Sequence, residues 1–140
     1  MDQSSMISQC MLYNNQHAYT VGLIVPNITA LNRELEHSRI KPGSQEGIDA
    51  GLKMIQHEID AFYKGGRYAG QFPERWLPST VCVLPEAFTE KNHFINAAMK
   101  MVRGKITVHY QHELDFLYMP AAKNILNDEN RKNLLRWYQD

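Results

Sequence analysis

The residues best suited to a chemical function lie in an irregular stretch between Pro85 and Lys105. This stretch follows a predicted strand and contains Asn92, Asn96 and Lys100. Loops that are held by rigid elements are common locations for binding and catalytic residues. A lysine in such a loop offers a compact cationic donor to a phosphate or carboxylate group. Lys100 is therefore a candidate functional residue, and an ordinary solvated lysine is the alternative.

A pair of histidines offers a second possible chemistry. His109 and His112 are three residues apart on a predicted helix, which places both side chains on one face and is compatible with zinc ligation. A zinc site needs a third protein ligand, and this spacing matches no helical zinc motif. Because Ile106, Tyr110 and Leu114 occupy the face that would be buried, we expect both histidines to be exposed and predict no metal site.

Other chemical patterns are excluded by their spacing. Gly65, Gly66 and Gly70 follow a predicted helix rather than a strand, so they do not form a dinucleotide-binding fingerprint. The local sequence contains no Ser-His-Asp or Cys-His arrangement and no paired acidic motif. A self-sufficient small enzyme is the least favoured interpretation, because no nucleophile–base pair is available to build it.

The composition is that of an ordinary globular domain. The chain has 140 residues, enough for one domain, and its 15 basic and 15 acidic side chains cancel. Nucleic acid and anionic membranes need a clustered basic excess, so we expect neither as a partner. No apolar run approaches the roughly 20 residues of a membrane span. Cys10 and Cys82 lie among apolar residues and are interpreted as reduced, buried thiols, and with no secretory signal evident we expect a cytoplasmic protein.

The elements that would position Lys100 can be predicted from turn residues and periodicity. Residues 9–26 predict a β-hairpin with its turn near 14–16, and residues 81–84 predict a third strand. The fold class is therefore α+β, with a small sheet of about three strands (an N-terminal hairpin plus one) and helices packed on it. The predicted helices are a short one capped by Asn27 or Thr29, an amphipathic one between Ser44 and Gly65–Gly66, a second long one over 102–118, and a last one from about Asp128.

The apolar end of the last helix has two interpretations. It can pack on its own domain, which we favour, or bind a partner protein. The residues concerned are Leu134, Leu135, Trp137 and Tyr138.

Three segments resemble the sequences of AMP-forming long-chain fatty acid–CoA ligases. Residues 18–27 (AYTVGLIVPN) are similar to a strand that has the sequence YLTALIVPN in these enzymes. Residues 72–78 (FPERWLP) and 83–90 (VLPEAFTE) look like the next strand of the family and its exit. The family continues with Asn-Gly, a threonine, a lysine, an arginine and a final Leu-Tyr pair. This chain has, in that order, Asn92-His93, Asn96, Lys100, Arg103 and Leu117-Tyr118, so the likeness extends over about residues 5–118.

The resemblance implies the small, mobile C-terminal α+β domain of an adenylate-forming enzyme. It implies such a domain over residues 1–120, without the family's hinge segment, and a helical extension packed on it over residues 121–140. In the family, the lysine that matches Lys100 reaches into the ATP site during adenylation, and the domain then rotates so that CoA can attack the acyl-adenylate. By this resemblance Lys100 is the expected catalytic residue, and Asn92, Asn96 and Arg103 are expected to support its loop.

The chain departs from the family pattern in this loop. His93 replaces the family glycine, Asn96 the threonine, and Ala97 the usual proline. Asn96 can still form the hydrogen bonds of a threonine, whereas His93 lacks the conformational freedom of glycine.

The same resemblance implies the reaction, the cofactors and the partners. We expect a C-terminal domain or truncated homologue of a long-chain fatty acid–CoA ligase that is inactive alone. ATP and Mg²⁺ would be bound mainly by an N-terminal adenylation domain, the expected partner, and the fatty acid and CoA would be substrates. The alternative is a non-catalytic interaction module that retains this fold.

Overall fold

The structure is a computed structural model that describes residues 5–14, 19–62 and 77–139. Its described part contains three strands, five α-helices and one short 3₁₀ helix. The strands are β1 (Ile7–Tyr13), β2 (Val21–Pro26) and β3 (Thr80–Val83); the helices are α1 (Ile28–His37), α2 (Gln45–Asp60), α3 (Arg103–His109), α4 (Gln111–Phe116) and α5 (Asp128–Arg136), and the 3₁₀ helix is Pro120–Lys123.

The sheet has the order β1-β2-β3, with β1 antiparallel and β3 parallel to the central strand β2. Every residue of β2 is buried, which explains why its sequence VGLIVP is a continuous apolar run rather than an alternating one. The predicted hairpin, the third strand and the α+β class are confirmed. Residues 15–18, which include most of the predicted hairpin turn, lie outside the described residues.

A bulge in β1 decides which of its side chains reach each face of the sheet. Ile7 is opposite Pro26 and Gln9 is opposite Val25, so two steps along β1 match one step along β2. Ile7 and Met11 would share a face in a regular strand. Because of the bulge they enter different hydrophobic clusters on the two sides of the sheet.

Both faces of the sheet are covered, so the domain has three layers. One face packs on α1 and α2, whose buried side chains include Leu31, Leu52 and Ile55, and on Leu134 of α5. The other face packs on the chain from Phe88 to Ala122, including Ile106 of α3 and Leu114 of α4. The segment that carries the candidate site therefore forms the layer on this second face, and its own apolar residues hold it against the sheet.

The outer edge of β3 is closed by one side chain instead of a fourth strand. The Asn130 carboxamide, on α5, accepts a hydrogen bond from the Val83 N–H (2.8 Å) and donates to the Val81 carbonyl (3.2 Å). It also donates to the Ile125 carbonyl (3.0 Å), and it is completely buried. Asn130 thus satisfies backbone groups that a neighbouring strand would otherwise pair, and it fixes α5 against the sheet.

The predicted caps of the first two helices are confirmed. The Asn27 side chain accepts a hydrogen bond from the Ala30 N–H, and the Ser44 side chain accepts one from the Gly47 N–H. Helix α2 ends at Asp60, before the predicted stop at residues 65–66, which lie outside the described residues. None of the helices in the described part of the chain has the length and apolar content needed to cross a bilayer.

The single helix predicted over residues 102–118 is wrong. The chain forms two short helices, α3 and α4, separated at Tyr110, whose backbone has φ −105° and ψ 24°. The run Ile106-Thr107-Val108 contains three β-branched residues, which are weak helix formers. The apolar stripe was nevertheless identified correctly, because Ile106, Tyr110, Leu114 and Leu117 are all buried.

The C-terminal helix packs on its own domain, as favoured from the sequence. Leu134 is buried, the Trp137 indole N–H donates to the Leu84 carbonyl (2.8 Å), and the Tyr138 hydroxyl hydrogen-bonds to the Asn32 side chain (2.7 Å). Arg131 also forms an ion pair with Asp49 of α2 (2.9 Å). The division of the chain at residue 120 stays a prediction.

Replacing the buried carboxamide should strongly destabilise the domain. We expect Asn130→Ala to lower the free energy of unfolding by about 2–4 kcal/mol, because it leaves buried backbone groups of β3 unpaired. Asn124→Ala is the matched control: the Asn124 side chain is exposed and accepts one hydrogen bond, from the Leu126 N–H, so the loss should be about 1 kcal/mol or less. Urea unfolding measures both, and equal losses would contradict the role given to Asn130.

Candidate functional site

The candidate site is the loop of residues 84–102 between β3 and α3. Two buried aromatic residues fix it to the sheet: Phe88 and Phe94 lie in the core with their rings edge to face, 6.0 Å apart. The loop contains no helix or strand, but Ile95 and Met101 form an antiparallel bridge that brings its two sides together. The expectation of an irregular but positioned stretch is confirmed for residues 85–99.

Asn92 organises the first half of the loop. Its side-chain oxygen accepts hydrogen bonds from the N–H groups of Thr89 (3.0 Å) and Phe94 (3.1 Å). Its amide nitrogen donates to the Ala87 carbonyl (2.8 Å). One half-buried carboxamide therefore satisfies three backbone groups in a segment that has no ladder to pair them.

His93 adopts the left-handed backbone conformation. Its φ angle is 66°, in the region that glycine occupies at little cost and that other residues visit rarely. This is the position at which the resembling family has glycine. The histidine thus keeps the backbone shape that glycine would supply, at a cost of roughly 1–2 kcal/mol.

Asn96 and Lys100 form a second closed turn. The Asn96 side-chain oxygen accepts hydrogen bonds from the N–H groups of Ala98 (2.9 Å) and Lys100 (3.1 Å). In addition, the Asn96 N–H donates to the Lys100 carbonyl (2.9 Å), and the Met99 N–H donates to the Asn96 carbonyl (2.9 Å). Asn96 therefore fixes the backbone of Lys100 through both its N–H and its carbonyl group.

The Lys100 side chain itself is left available. It is exposed, and its ammonium group has no hydrogen-bond or ion-pair partner among the described residues. Its neighbours Met99 and Met101 are 70% and 39% exposed, an unusual amount of apolar surface beside a lysine. An open groove of about 420 Å³ lies between Phe94 of the loop and helix α3, where Gly104 and Val108 line it.

Arg103 connects the end of the loop to the first strand. Its guanidinium donates a hydrogen bond to the Leu12 carbonyl of β1, which is an edge strand of the sheet. Burial raises the pKa of the neighbouring Cys10 thiol to about 11, and the positive charge of Arg103 partly opposes that rise. The structure therefore assigns Arg103 a contact with the sheet; its predicted support of a substrate-binding loop stays a prediction.

Gln9 contacts the loop and was missed by sequence reasoning. Its carboxamide pairs with the backbone of Phe88 through two hydrogen bonds: the Phe88 N–H donates to Gln9 Oε1 (2.8 Å), and Gln9 Nε2 donates to the Phe88 carbonyl (3.1 Å). The partners are 79 residues apart in the sequence. The available signal was a pair of polar residues, Ser8 and Gln9, within a largely apolar strand.

The two histidines of α3 and α4 are exposed, as predicted. The His109 ring packs against the rings of Phe94 (5.1 Å) and Tyr110 (4.6 Å), so His109 contributes to aromatic packing beside the loop. Within residues 5–14, 19–62 and 77–139, no group of three His, Cys, Asp or Glu side chains is placed to hold a metal ion. Residues 72–76 of the resembling FPERWLP segment lie outside the described residues.

Comparison with known proteins connects this fold to one group of enzymes. No protein-family model matches the chain. The chain is 29% identical over 118 residues to long-chain-fatty-acid–CoA ligase 1 of Schizosaccharomyces pombe, covering 82% of this chain and 17% of the ligase. It is 24% identical over 119 residues to long chain acyl-CoA synthetase 8 of Arabidopsis thaliana, covering 84% of this chain and 16% of the synthetase.

Two solved structures share the fold. The adenylation domain of a carboxylate reductase from Mycobacterium chelonae matches 81% of this chain with a TM-score of 0.61 and 23% identity. A two-domain structure of the carboxylic acid reductase from Segniliparus rugosus, solved in complex with AMP, matches 83% with a TM-score of 0.55 and 20% identity. The chain covers 16% and 14% of those structures, respectively.

The resemblance inferred from the sequence is therefore confirmed. The fold is shared with the adenylation domains of two carboxylate reductases, and the chain is similar in sequence to a segment of two long-chain acyl-CoA synthetases. It spans about one sixth of the length of the curated relatives that it matches.

The left-handed residue of the loop provides a direct test of this geometry. We expect His93→Gly to leave the free energy of unfolding unchanged or to raise it by up to about 1 kcal/mol, because glycine relieves the backbone cost. His93→Val should lower it by about 1–3 kcal/mol, since β-branched residues tolerate positive φ least. Thermal and urea unfolding measure both variants.

The control for this prediction is a histidine with ordinary helical geometry. His112 is exposed within α4, so His112→Gly should lose between a few tenths and about 1 kcal/mol. Glycine should thus be tolerated at residue 93 and unfavourable at residue 112. A His93→Gly variant that loses as much stability as His93→Val would contradict the positive φ angle.

Proposed function

We propose that this chain is the C-terminal domain, or a truncated homologue of that domain, of a long-chain fatty acid–CoA ligase. In this proposal it contributes Lys100 to the ATP-dependent activation of a fatty acid to acyl-AMP, which is then converted to acyl-CoA. The chain does not perform these steps alone. It acts with an N-terminal adenylation domain that binds the fatty acid, most of the ATP and the Mg²⁺.

The observation that supports this role most directly is the state of Lys100. Its backbone is fixed by Asn96 on both sides, while its ammonium has no partner among the described residues. A lysine that holds the fold together would be expected to form an ion pair or a side-chain hydrogen bond, and Lys100 forms neither among the described residues. A rigid backbone combined with an unpaired charge is the arrangement needed by a group that acts on an external substrate.

The chemistry of adenylation explains why a lysine suits this position. A fatty acid carboxylate oxygen attacks the α-phosphorus of ATP, the bond to the pyrophosphate oxygen breaks, and acyl-AMP and pyrophosphate form. Negative charge accumulates on the phosphoryl oxygens during this transfer, and an ammonium group that is removed from water stabilises that charge. The same ammonium in open solvent contributes much less, because water screens its charge. Lys100 therefore needs a second surface that covers it.

The apolar residues around Lys100 support the existence of such a covering surface. Met99 and Met101 flank the lysine in the sequence, and Val108 lies on the following helix α3; their exposed fractions are 70%, 39% and 78%. Exposed apolar side chains of this size are unfavourable in an isolated domain and favourable in an interface. In the proposal they contact the large domain when Lys100 enters the ATP site, and CoA is used after the small domain has rotated.

A non-catalytic interaction module remains the second candidate, supported by the departures from the family pattern. His93, Asn96 and Ala97 differ from the family residues in the loop itself. The two candidate functions share the fold and the exposed apolar residues Met99, Met101 and Val108, and they differ in whether Lys100 is required for the reaction. In either case the unpaired cysteines suit a reducing compartment, so we propose a cytoplasmic protein.

Formation of acyl-CoA tests the catalytic proposal. The assay contains ATP, Mg²⁺, CoA and palmitate, with this chain alone, or with it replacing the matching segment of the S. pombe ligase in one polypeptide. We expect no activity from the chain alone and activity from the fusion, with Lys100→Ala reducing kcat by about 10²–10³-fold because it removes charge stabilisation in the transition state.

Lys91→Ala is the matched control, because Lys91 is an exposed lysine of the same loop. It should retain activity within about twofold, since a solvated surface lysine contributes little. Equal activity of the Lys100→Ala fusion and the wild-type fusion would favour the interaction module. Activity of the chain by itself would contradict its description as one part of a larger catalyst.

A further inference from the structure

At its first residue the loop of residues 84–102 continues the pairing of β3, since the Leu84 N–H donates to the Ile24 carbonyl of β2 (2.8 Å). Beyond that residue, two side-chain contacts attach the Lys100 segment to the sheet, one near each end, and both are to strand β1. Near the beginning, the Phe88 backbone pairs with the Gln9 carboxamide through two hydrogen bonds. Just past the end, Arg103 donates to the Leu12 carbonyl. Gln9 and Leu12 are three residues apart on one strand, so one short element sets the positions of residues 88 and 103.

These two attachments contribute what the contacts within the loop cannot. The side chains of Asn92 and Asn96 hold turns of the loop together, but they bond only to residues 87–100 of the loop itself. They define the shape of the loop and not its place on the domain. Buried Phe88 and Phe94 hold the loop against the sheet, and apolar contacts are non-directional. The start of the loop is also held by the Leu84–Ile24 and Tyr110–Glu86 hydrogen bonds. From Phe88 onward, the hydrogen bonds to β1 add the directional contacts with the sheet.

We infer that Gln9 is a positioning residue for Lys100: its paired hydrogen bonds with Phe88 orient the catalytic loop on the sheet. The inference rests on the proposed function of Lys100, and Gln9 itself contacts no reacting group. Gln9 is suited to this role because a carboxamide offers a donor and an acceptor side by side, which match the N–H and carbonyl of one backbone residue. The bulge of β1 lies just before Gln9, between it and Ile7, and sets which way the strand presents its side chains there.

Amide hydrogen exchange of the whole chain tests the attachment without any activity assay. In Gln9→Ala we expect the amides of Phe88, Ala98 and Lys100 to exchange at least about tenfold faster, because two hydrogen bonds that hold the loop are lost. Amides of the central strand β2 should change by less than about twofold. Gln9→Glu, which keeps the acceptor for the Phe88 N–H and loses the donor, should give an intermediate acceleration. Unchanged loop exchange, or equal acceleration throughout the chain, would overturn the inference.

Kinetics of the fusion enzyme test the effect on Lys100. Gln9→Ala should lower kcat by about 10–100-fold with little change in the KM for palmitate, because a misplaced catalytic group affects the transition state and not substrate binding. Gln139→Ala, which changes an exposed glutamine near the end of the chain, should leave kcat unchanged. Loosened loop exchange with an unchanged kcat would overturn the positioning role. Failure of the proposed function is a distinct result, since Lys100→Ala would then retain full activity whatever Gln9 does.

Discussion

The arrangement of the layers depends on the Asn130 carboxamide, which pairs with the edge of β3 as a neighbouring strand would. The sheet has only three strands in its described part, and β3 at its edge is buried, so its outward N–H and carbonyl groups have no access to water. Asn130 pairs with both Val81 and Val83, and its own helix is capped by Asn127 (2.9 Å). An unpaired edge in this position would cost several kcal/mol. Helix α5 therefore contributes in two ways: it buries apolar surface, and it supplies the hydrogen bonds that the edge of β3 needs.

The same kind of bond recurs on the opposite side of the molecule. Gln9 on β1 pairs with Phe88 as Asn130 on α5 pairs with β3, and in each case a side-chain amide supplies a short piece of sheet-like hydrogen bonding. The Gln9 contact lies on one edge strand of the sheet, β1, and the Asn130 contact lies on the other edge strand, β3. The site thus depends on long-range polar contacts more than on regular secondary structure. This explains how an irregular segment can hold a defined shape.

The sequence was sufficient for the local elements and insufficient for the contacts between them. The stripe of α2, the caps at Asn27 and Ser44, and the hairpin follow from periodicity and residue type, which act over a few positions. The roles of Gln9 and Asn130 depend on partners 79 and 47 or more residues away, which no local pattern encodes. The break at Tyr110 was missed because its side chain continues the apolar stripe while its backbone leaves the helical region.

Within the candidate loop, the sequence predicts one feature and leaves another to the structure. Lys100 was selected because a chemically suitable residue lies in a positioned loop, and the resemblance to ligases then gave it a role. The resemblance marks His93 as a departure from glycine, and its φ angle of 66° places it in a backbone conformation that glycine adopts readily.

Separating the two half-reactions of the fusion enzyme tests the central claim most directly. In Lys100→Ala, formation of acyl-AMP from palmitate and ATP should fall by about 10²–10³-fold, because that step develops charge on phosphoryl oxygens. Formation of acyl-CoA from added palmitoyl-AMP and CoA should stay within about twofold of wild type, since no phosphoryl group is transferred to the fatty acid in that step. An equal loss in both steps would contradict the account by making Lys100 a structural residue, and an undiminished first step would remove its catalytic role.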